Sequence, residues 1–190
     1  MVRHHVLLVL VFVAACDARG PRPAAAIELQ DLKGQRVAPL AAPGGAPIVL
    51  LFTRSDCPVS NRYAPEIARL YDELHPSGVA FWLVFVDRDE PALAIEKHVA
   101  DFRYPCPALR DPAHALVKLA GARVTPEAAV FVSGRLAYRG RIDDWYESPG
   151  RSRAAPTTHD LEDAVRDLLA GRAVARPSID AVGCVIADLE

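Results

Sequence analysis

Residues 46–66, APIVLLFTRSDCPVSNRYAPE, run a continuous apolar stretch into a cysteine, Cys57, that is followed at once by proline. An unbroken apolar run such as Ile48–Phe52 is typical of a strand buried on both faces, which predicts the centre of a sheet. Beyond the cysteine, Tyr63, Ile67, Leu70, Tyr71 and Leu74 recur at helical spacing, so Cys57 stands where a buried strand hands over to a helix. Pro65 falls inside that helix and predicts a kink, because proline removes a backbone donor.

Working outward, IELQDLKGQRVAPL (27–40) places two β-type runs around Lys33-Gly34 and predicts a hairpin before the central strand. VAFWLVFVD (79–87) is a second buried strand. A helix is expected from near Pro91, with Leu93, Ile95, Val99 and Phe102 as its apolar positions, and a short one from about Pro112 to Ala120. VTPEAAVFV, SG and LAYRGRI then read as strand, turn and antiparallel strand. In the last helix Leu161, Ala164, Val165, Leu168 and Leu169 form a narrow apolar face, with threonines before it as N-caps and Gly171 after it as a stop. A crossover between parallel strands followed by an antiparallel hairpin implies a mixed sheet with helices on both sides.

The chain has 190 residues, about half of them apolar, which suits one domain with a sizeable core. Its net charge of −2, with acids and bases interspersed, supplies no basic stripe for a phosphate backbone, and no nucleic-acid partner is expected. At the N-terminus an arginine and two histidines precede the apolar run Val6 to Ala15, too short to span a bilayer and of the length of a signal-peptide core. Val13-Ala14-Ala15-Cys16 resembles a bacterial lipobox, which would remove residues 1–15 and make Cys16 the lipid-bearing first residue. Cleavage after Ala18 is the competing reading. Residues 16–26 read as a tether, 27–174 as the domain, and 175–190 as a tail carrying Cys184. The expected location is outside the cytoplasm, periplasmic or at the cell surface, where disulfides form. With Cys16 lipidated, Cys57, Cys106 and Cys184 remain, so at most one internal pair can form.

A cysteine at a helix start faces free backbone N–H groups and the positive end of the helix dipole. The dipole contributes roughly 0.3 to 1 kcal/mol, less than one pKa unit at about 1.36 kcal/mol per unit, so further support for a thiolate is needed. The Ser60 hydroxyl and Arg54 are candidates, opposed by Asp56. The expected result is a modestly lowered thiol pKa.

The order strand, F-x-x-S-x-Cys-Pro-x-Ser, proline five residues after Ser60, then V-T-P-E before an apolar strand resembles the thioredoxin superfamily. It is most similar to the AhpC/TSA-type redoxins and the TlpA/ResA-like branch of exported proteins, over about Ile27 to Ala170. The resemblance implies an α/β thioredoxin-like fold, a central mixed sheet flanked by helices on both faces, here with an N-terminal hairpin extension. By the same resemblance Cys57 matches the nucleophile, Ser60 takes the place of the second, resolving cysteine, Pro65 matches the helix-kinking proline, and Pro126 matches a cis-proline after Thr125. Four positions depart from familiar patterns, the first being Asp56 in place of a common tryptophan. Leu51 stands where many thioredoxins have a buried acid, and Leu50 and Arg54 stand where a peroxiredoxin would have proline and threonine.

A serine cannot resolve a mixed disulfide, so another thiol must, and Cys184 is the first candidate. It could equally be a structural clamp. The reading is an exported thiol-disulfide oxidoreductase in which Cys57 attacks and Cys184 or an external thiol resolves, acting on protein or small-molecule disulfides with an external thiol reductant. The alternatives are a thiol peroxidase acting on peroxide, and a non-catalytic module that holds a protein or a metal ion such as copper. No cofactor is expected. Cys106 reads as core, His98 and His114 as solvated or capping residues, Asp143 and Asp144 as loop caps in preference to groups on the active-site rim, and Trp145 and Tyr146 as either core or a partner-facing patch.

Overall fold

A computed structural model describes residues 27–41, 43–187 and 189. The leader, Cys16 and the tether therefore lie outside the described residues. The element order is β1 (Leu29–Asp31), β2 (Arg36–Val37), β3 (Ile48–Thr53), α1 (Pro58–Arg62), α2 (Ala64–Leu74), β4 (Ala80–Phe85), α3 (Ala92–Asp101), β5 (Ala108–Arg110), α4 (Ala115–Ala120), β6 (Val124–Thr125), β7 (Glu127–Val132), β8 (Arg135–Gly140), β9 (Tyr146–Ser148), β10 (Arg151–Ser152), α5 (Asp160–Leu169), β11 (Ser178–Ile179) and β12 (Cys184–Val185).

Eight strands form one mixed sheet in the order β11-β8-β7-β3-β4-β5-β1-β2. β3 is parallel to β4 and antiparallel to β7, so the predicted central strand has a partner on each side, and all six of its residues are buried. Strand alternation divides its side chains between two cores. Val49 and Leu51 join Ile67, Leu70, Ile95, Leu161 and Val165 from α2, α3 and α5 on one face. Ile48, Leu50 and Phe52 join Leu116 and Val117 of α4 on the other. The expected mixed sheet with helices on both faces is what the chain adopts, with the β1–β2 hairpin added at the edge through β5. Among the described residues no helix is long and apolar enough to cross a membrane.

Several expectations need correction. β5, three residues between Pro107 and Asp111, was not anticipated, and it carries the hairpin's attachment to β4. Leu93 is exposed rather than core, because α3 turns Ile95 and His98 inward instead. The cap of α4 comes from an unanticipated residue: buried Asp111 accepts the N–H groups of Ala115, Leu116 and Val117 at 2.7, 2.9 and 3.0 Å. The threonines before α5 are not its N-caps. Their N–H groups go to Asp144, and His159 holds the N-cap position. His98 and His114 are buried, not solvated: His98 lies among Phe85, Phe102 and Tyr104, and His114 Nε2 sits 2.8 Å from the Val86 carbonyl.

The segment after α5 is more than a tail. β11 adds a parallel strand to β8, and Arg139 N–H donates to the Pro177 carbonyl at 2.9 Å. Gly140 makes that approach possible, since a Cβ there would collide with the Ile179 carbonyl. Residues 180–183 then lead directly into β12, which pairs antiparallel with β6.

Candidate active site

The site forms at the end of β3, where the chain turns into α1. Cys57 is the N-cap of α1, with extended backbone (φ −86°, ψ 109°) and Pro58 in the first turn, a position where proline's missing N–H costs nothing. Helical structure breaks at Tyr63, and α2 resumes with Pro65 in its first turn, so the predicted kink appears as a division into two helices. The break is fixed from the side. Tyr63 Oη donates to the buried Asp143 carboxylate at 2.5 Å, and Asp143 also accepts the Trp145 N–H at 2.8 Å. Burial, reinforced by that carboxylate, pushes the Tyr63 phenol far above its ordinary range. Trp145 meets the Tyr63 ring edge-on at 5.5 Å and takes the Arg62 guanidinium over its face at 5.0 Å. Asp143 thus holds the kink, whereas Asp144 caps the loop at Thr157 and Thr158, and Trp145 and buried Tyr146 pack beside the kink.

Opposite Cys57 lies the loop between β6 and β7. The Thr125–Pro126 peptide is cis, as the resemblance implied. Glu127, also buried, accepts the N–H groups of Arg123 and Val124 at 2.7 and 3.2 Å and lies 3.7 Å from Arg139, so it ties this loop to the sheet. The Thr125 carbonyl oxygen comes within 3.1 Å of Cys57 Sγ. On the helix side the Ser60 N–H approaches the same sulfur at 3.5 Å. An N–H favours negative charge on sulfur, while a carbonyl accepts the proton of a thiol, so the two backbone groups pull in opposite directions once the sulfur is reduced.

Cys57 and Cys184 are joined by a disulfide across 127 residues, with their Cα atoms 6.2 Å apart. The structure therefore brings Cys57, Ser60, Thr125, Pro126 and Cys184 together. Two expected contributions to the sulfur are absent. The Ser60 hydroxyl is buried without a hydrogen-bond partner among the described residues, and it is the Ser60 amide that reaches Cys57. Arg54 gives its guanidinium to Asp56 at 2.8 Å and Asp87 at 3.4 Å, so its charge is already neutralised by carboxylates. Sequence reasoning also missed Gly183. A Cβ there would collide with the Thr125 carbonyl, so only glycine lets the tail lie against this loop. The signal was its place directly before a cysteine. Cys106 stays free and buried, and burial pushes its thiol up to about 12.

A disulfide at the start of a helix, facing a cis-proline on a mixed sheet, defines a thioredoxin-like redoxin. The chain belongs to the AhpC/TSA family, whose model matches residues 21–141. No curated protein matches it. Among solved structures, it resembles an uncharacterized conserved protein from Geobacillus kaustophilus, 25% identical with a TM-score of 0.75, covering 87% of this chain and 89% of that one. A hypothetical protein from Sinorhizobium meliloti is 24% identical with a TM-score of 0.75, covering 86% and 91%. A secreted disulfide oxidoreductase from Mycobacterium tuberculosis shares the fold at 18% identity and a TM-score of 0.52, covering 78% and 97%.

Proposed function

We propose that the protein is an exported thiol-disulfide oxidoreductase with Cys57 as nucleophile and Cys184 as resolving thiol. The Cys57–Cys184 disulfide carries the reading, because it supplies from the tail the second sulfur that Ser60 lacks. In the reduced protein the Cys57 thiolate attacks one sulfur of a partner disulfide. The partner's S–S bond breaks, a mixed disulfide forms on Cys57, and the partner's other sulfur leaves as a thiolate that takes a proton from water. Cys184, as thiolate, then attacks Cys57 Sγ, re-forming the internal disulfide and releasing the second partner sulfur. Two electrons pass to the partner, and an external dithiol reductant restores the protein. Thr125 and Pro126 shape the face opposite the reacting sulfur.

Export rests on the leader-like first 15 residues, and anchoring on lipid attachment to Cys16. Mass spectrometry of the mature N-terminus checks both, with a diacylglyceryl-modified Cys16 as the expected first residue.

The catalytic reading is tested by mixing reduced wild type and Cys184→Ser with a model disulfide. Wild type should turn over and end with Cys57 bonded to Cys184. The Cys184→Ser protein should stop as a mixed disulfide on Cys57. Consumption of hydrogen peroxide with no reaction toward disulfides would instead establish the thiol peroxidase reading, which the family membership favours and the Leu50 and Arg54 positions do not.

A further inference from the structure

Resting on that redox reading, we propose that the cleft beside the Cys184 strand takes a free α-amino-acid thiol of the size of cysteine, and that this thiol is the reductant that reopens the Cys57–Cys184 disulfide.

The cleft measures about 160 Å³, and Arg54, Val86, Asp87, Asp89, His114 and Ile186 are among its lining residues. It is smaller than the roughly 300 to 1,000 Å³ pockets that hold drug-sized ligands, so it suits one amino acid rather than a peptide. Two of the lining side chains each hold a buried polar atom without a partner among the described residues. His114 is 2% exposed, and its Nε2 lies 2.8 Å from the Val86 carbonyl. A carbonyl only accepts, so Nε2 carries the hydrogen, and Nδ1 of the neutral ring is left as an unmet acceptor. Arg54 turns one terminal nitrogen, Nη2, to both Asp56 and Asp87, and its Nε is an unmet donor. The two together call for a ligand that accepts at one end and donates at the other. An α-amino acid does so, with its carboxylate for Arg54 Nε and its ammonium for His114 Nδ1, and the Asp87 and Asp89 carboxylates add attraction for the ammonium. A metal cation would satisfy the histidine and leave the arginine unmet.

The cleft also lies within reach of sulfur. Ile186 follows Cys184 by two residues on the strand that pairs with β6, so the two side chains leave the same side of the chain about 7 Å apart. Cys184 is the more accessible sulfur, half-buried where Cys57 is 1% exposed. The ligand's thiolate attacks Cys184 Sγ, the internal S–S bond breaks, and Cys57 leaves as a thiolate facing the Ser60 N–H. A second molecule of the thiol attacks the mixed disulfide on Cys184. The small disulfide departs, and the Cys184 thiolate takes a proton from water. Two monothiols thus supply the electron pair that one dithiol would. Carboxylate, ammonium and sulfur fix the ligand at three points, so the site distinguishes its mirror images.

The test starts from oxidised full-length protein and follows opening of the disulfide by acid quench, alkylation and mass spectrometry. The reductants are L-cysteine, D-cysteine and dithiothreitol, which has no amino-acid head. The enantiomers carry identical thiols, so any difference between them belongs to the site. The rate with L-cysteine should saturate with concentration and exceed that with D-cysteine about tenfold, the size expected for one charge-assisted hydrogen bond. L-serine, the same head without a thiol, should slow reduction by L-cysteine several-fold. His114→Asn, which keeps a residue tolerant of the left-handed backbone at φ 55°, should lower the ratio of L-cysteine to dithiothreitol rates about tenfold. Equal rates for the enantiomers, proportional to concentration throughout, with dithiothreitol opening the bond normally, would overturn the proposal and leave the redox reading standing. An enantiomer preference that His114→Asn leaves unchanged would place the site elsewhere and overturn the proposal as stated. A bond that none of the three reductants opens would overturn both readings.

Discussion

Cys57 and Cys106 are almost equally buried, at 1% and 3% exposed, yet one is bonded and the other is free. Burial therefore does not decide what a cysteine does in this fold. Cys106 lies in the apolar cluster on the α2 face, where burial alone pushes its thiol up to about 12. Cys57 stands at the seam between β3 and α1 with an amide on one side and a carbonyl on the other, and its cover is a terminal segment rather than a core element. A sulfur whose lid is a two-residue strand can be uncovered without unfolding the domain.

That contrast is open to attack by substitution. Cys57→Ser should abolish disulfide exchange, while Cys106→Ala should leave the rate unchanged and cost only about 1 kcal/mol of stability, the low end for a small core deletion. Loss of exchange in Cys106→Ala, measured on protein shown folded by circular dichroism, would break the comparison. Next in size is the cross-link itself. Closing a loop across 127 residues is worth at most about 5 kcal/mol in the chain-entropy model, so reduction should lower Tm clearly and Cys184→Ala should reproduce the fall. A smaller and more local effect concerns reactivity. In reduced native protein at pH 8, iodoacetamide should label Cys57 and Cys184, whereas Cys106 should react only after denaturation.

The smallest effect is pH-dependent and comes from His98, whose imidazole is held below its ordinary 6.5 by burial. A histidine with a depressed folded value contributes stability that is fully present above 6.5 and lost as pH falls through the folded value. Tm should therefore decline on acidification below about pH 6.5, and His98→Phe should make that decline shallower. An unchanged acid limb in the variant would show that other groups set it.

Much of this site could be read in the sequence because strong signals bear on it. An unbroken apolar run leaves no solvent face for β3, so the central strand and the position of Cys57 after it followed directly. Pro65 acts through covalent geometry, because its ring removes a backbone donor, whereas the cis Thr125–Pro126 bond was legible only through the family resemblance, since trans is the favoured isomer even before proline. What escaped notice depends on contacts distant in sequence. β5 is too short to show a period and exists because β4 and β1 offer it edges. Ser60 and Arg54 had the right chemistry near the sulfur, but the hydroxyl makes no hydrogen bond among the described residues and the guanidinium is claimed by Asp56 and Asp87. The return of the tail was an inference from counting thiols. Its structural basis, the clearances at Gly140 and Gly183, appears only when the two backbones are set side by side.

The central claim is that Cys57 and Cys184 form a working redox couple, and thiol mapping by mass spectrometry across a series of redox buffers tests it most directly. The account predicts a Cys57–Cys184 disulfide that opens and closes reversibly at a potential above about −300 mV, with Cys106 free throughout, since structural bridges usually lie lower. A bond that resists every buffer down to that potential, or a Cys57 that never pairs with Cys184, would contradict it.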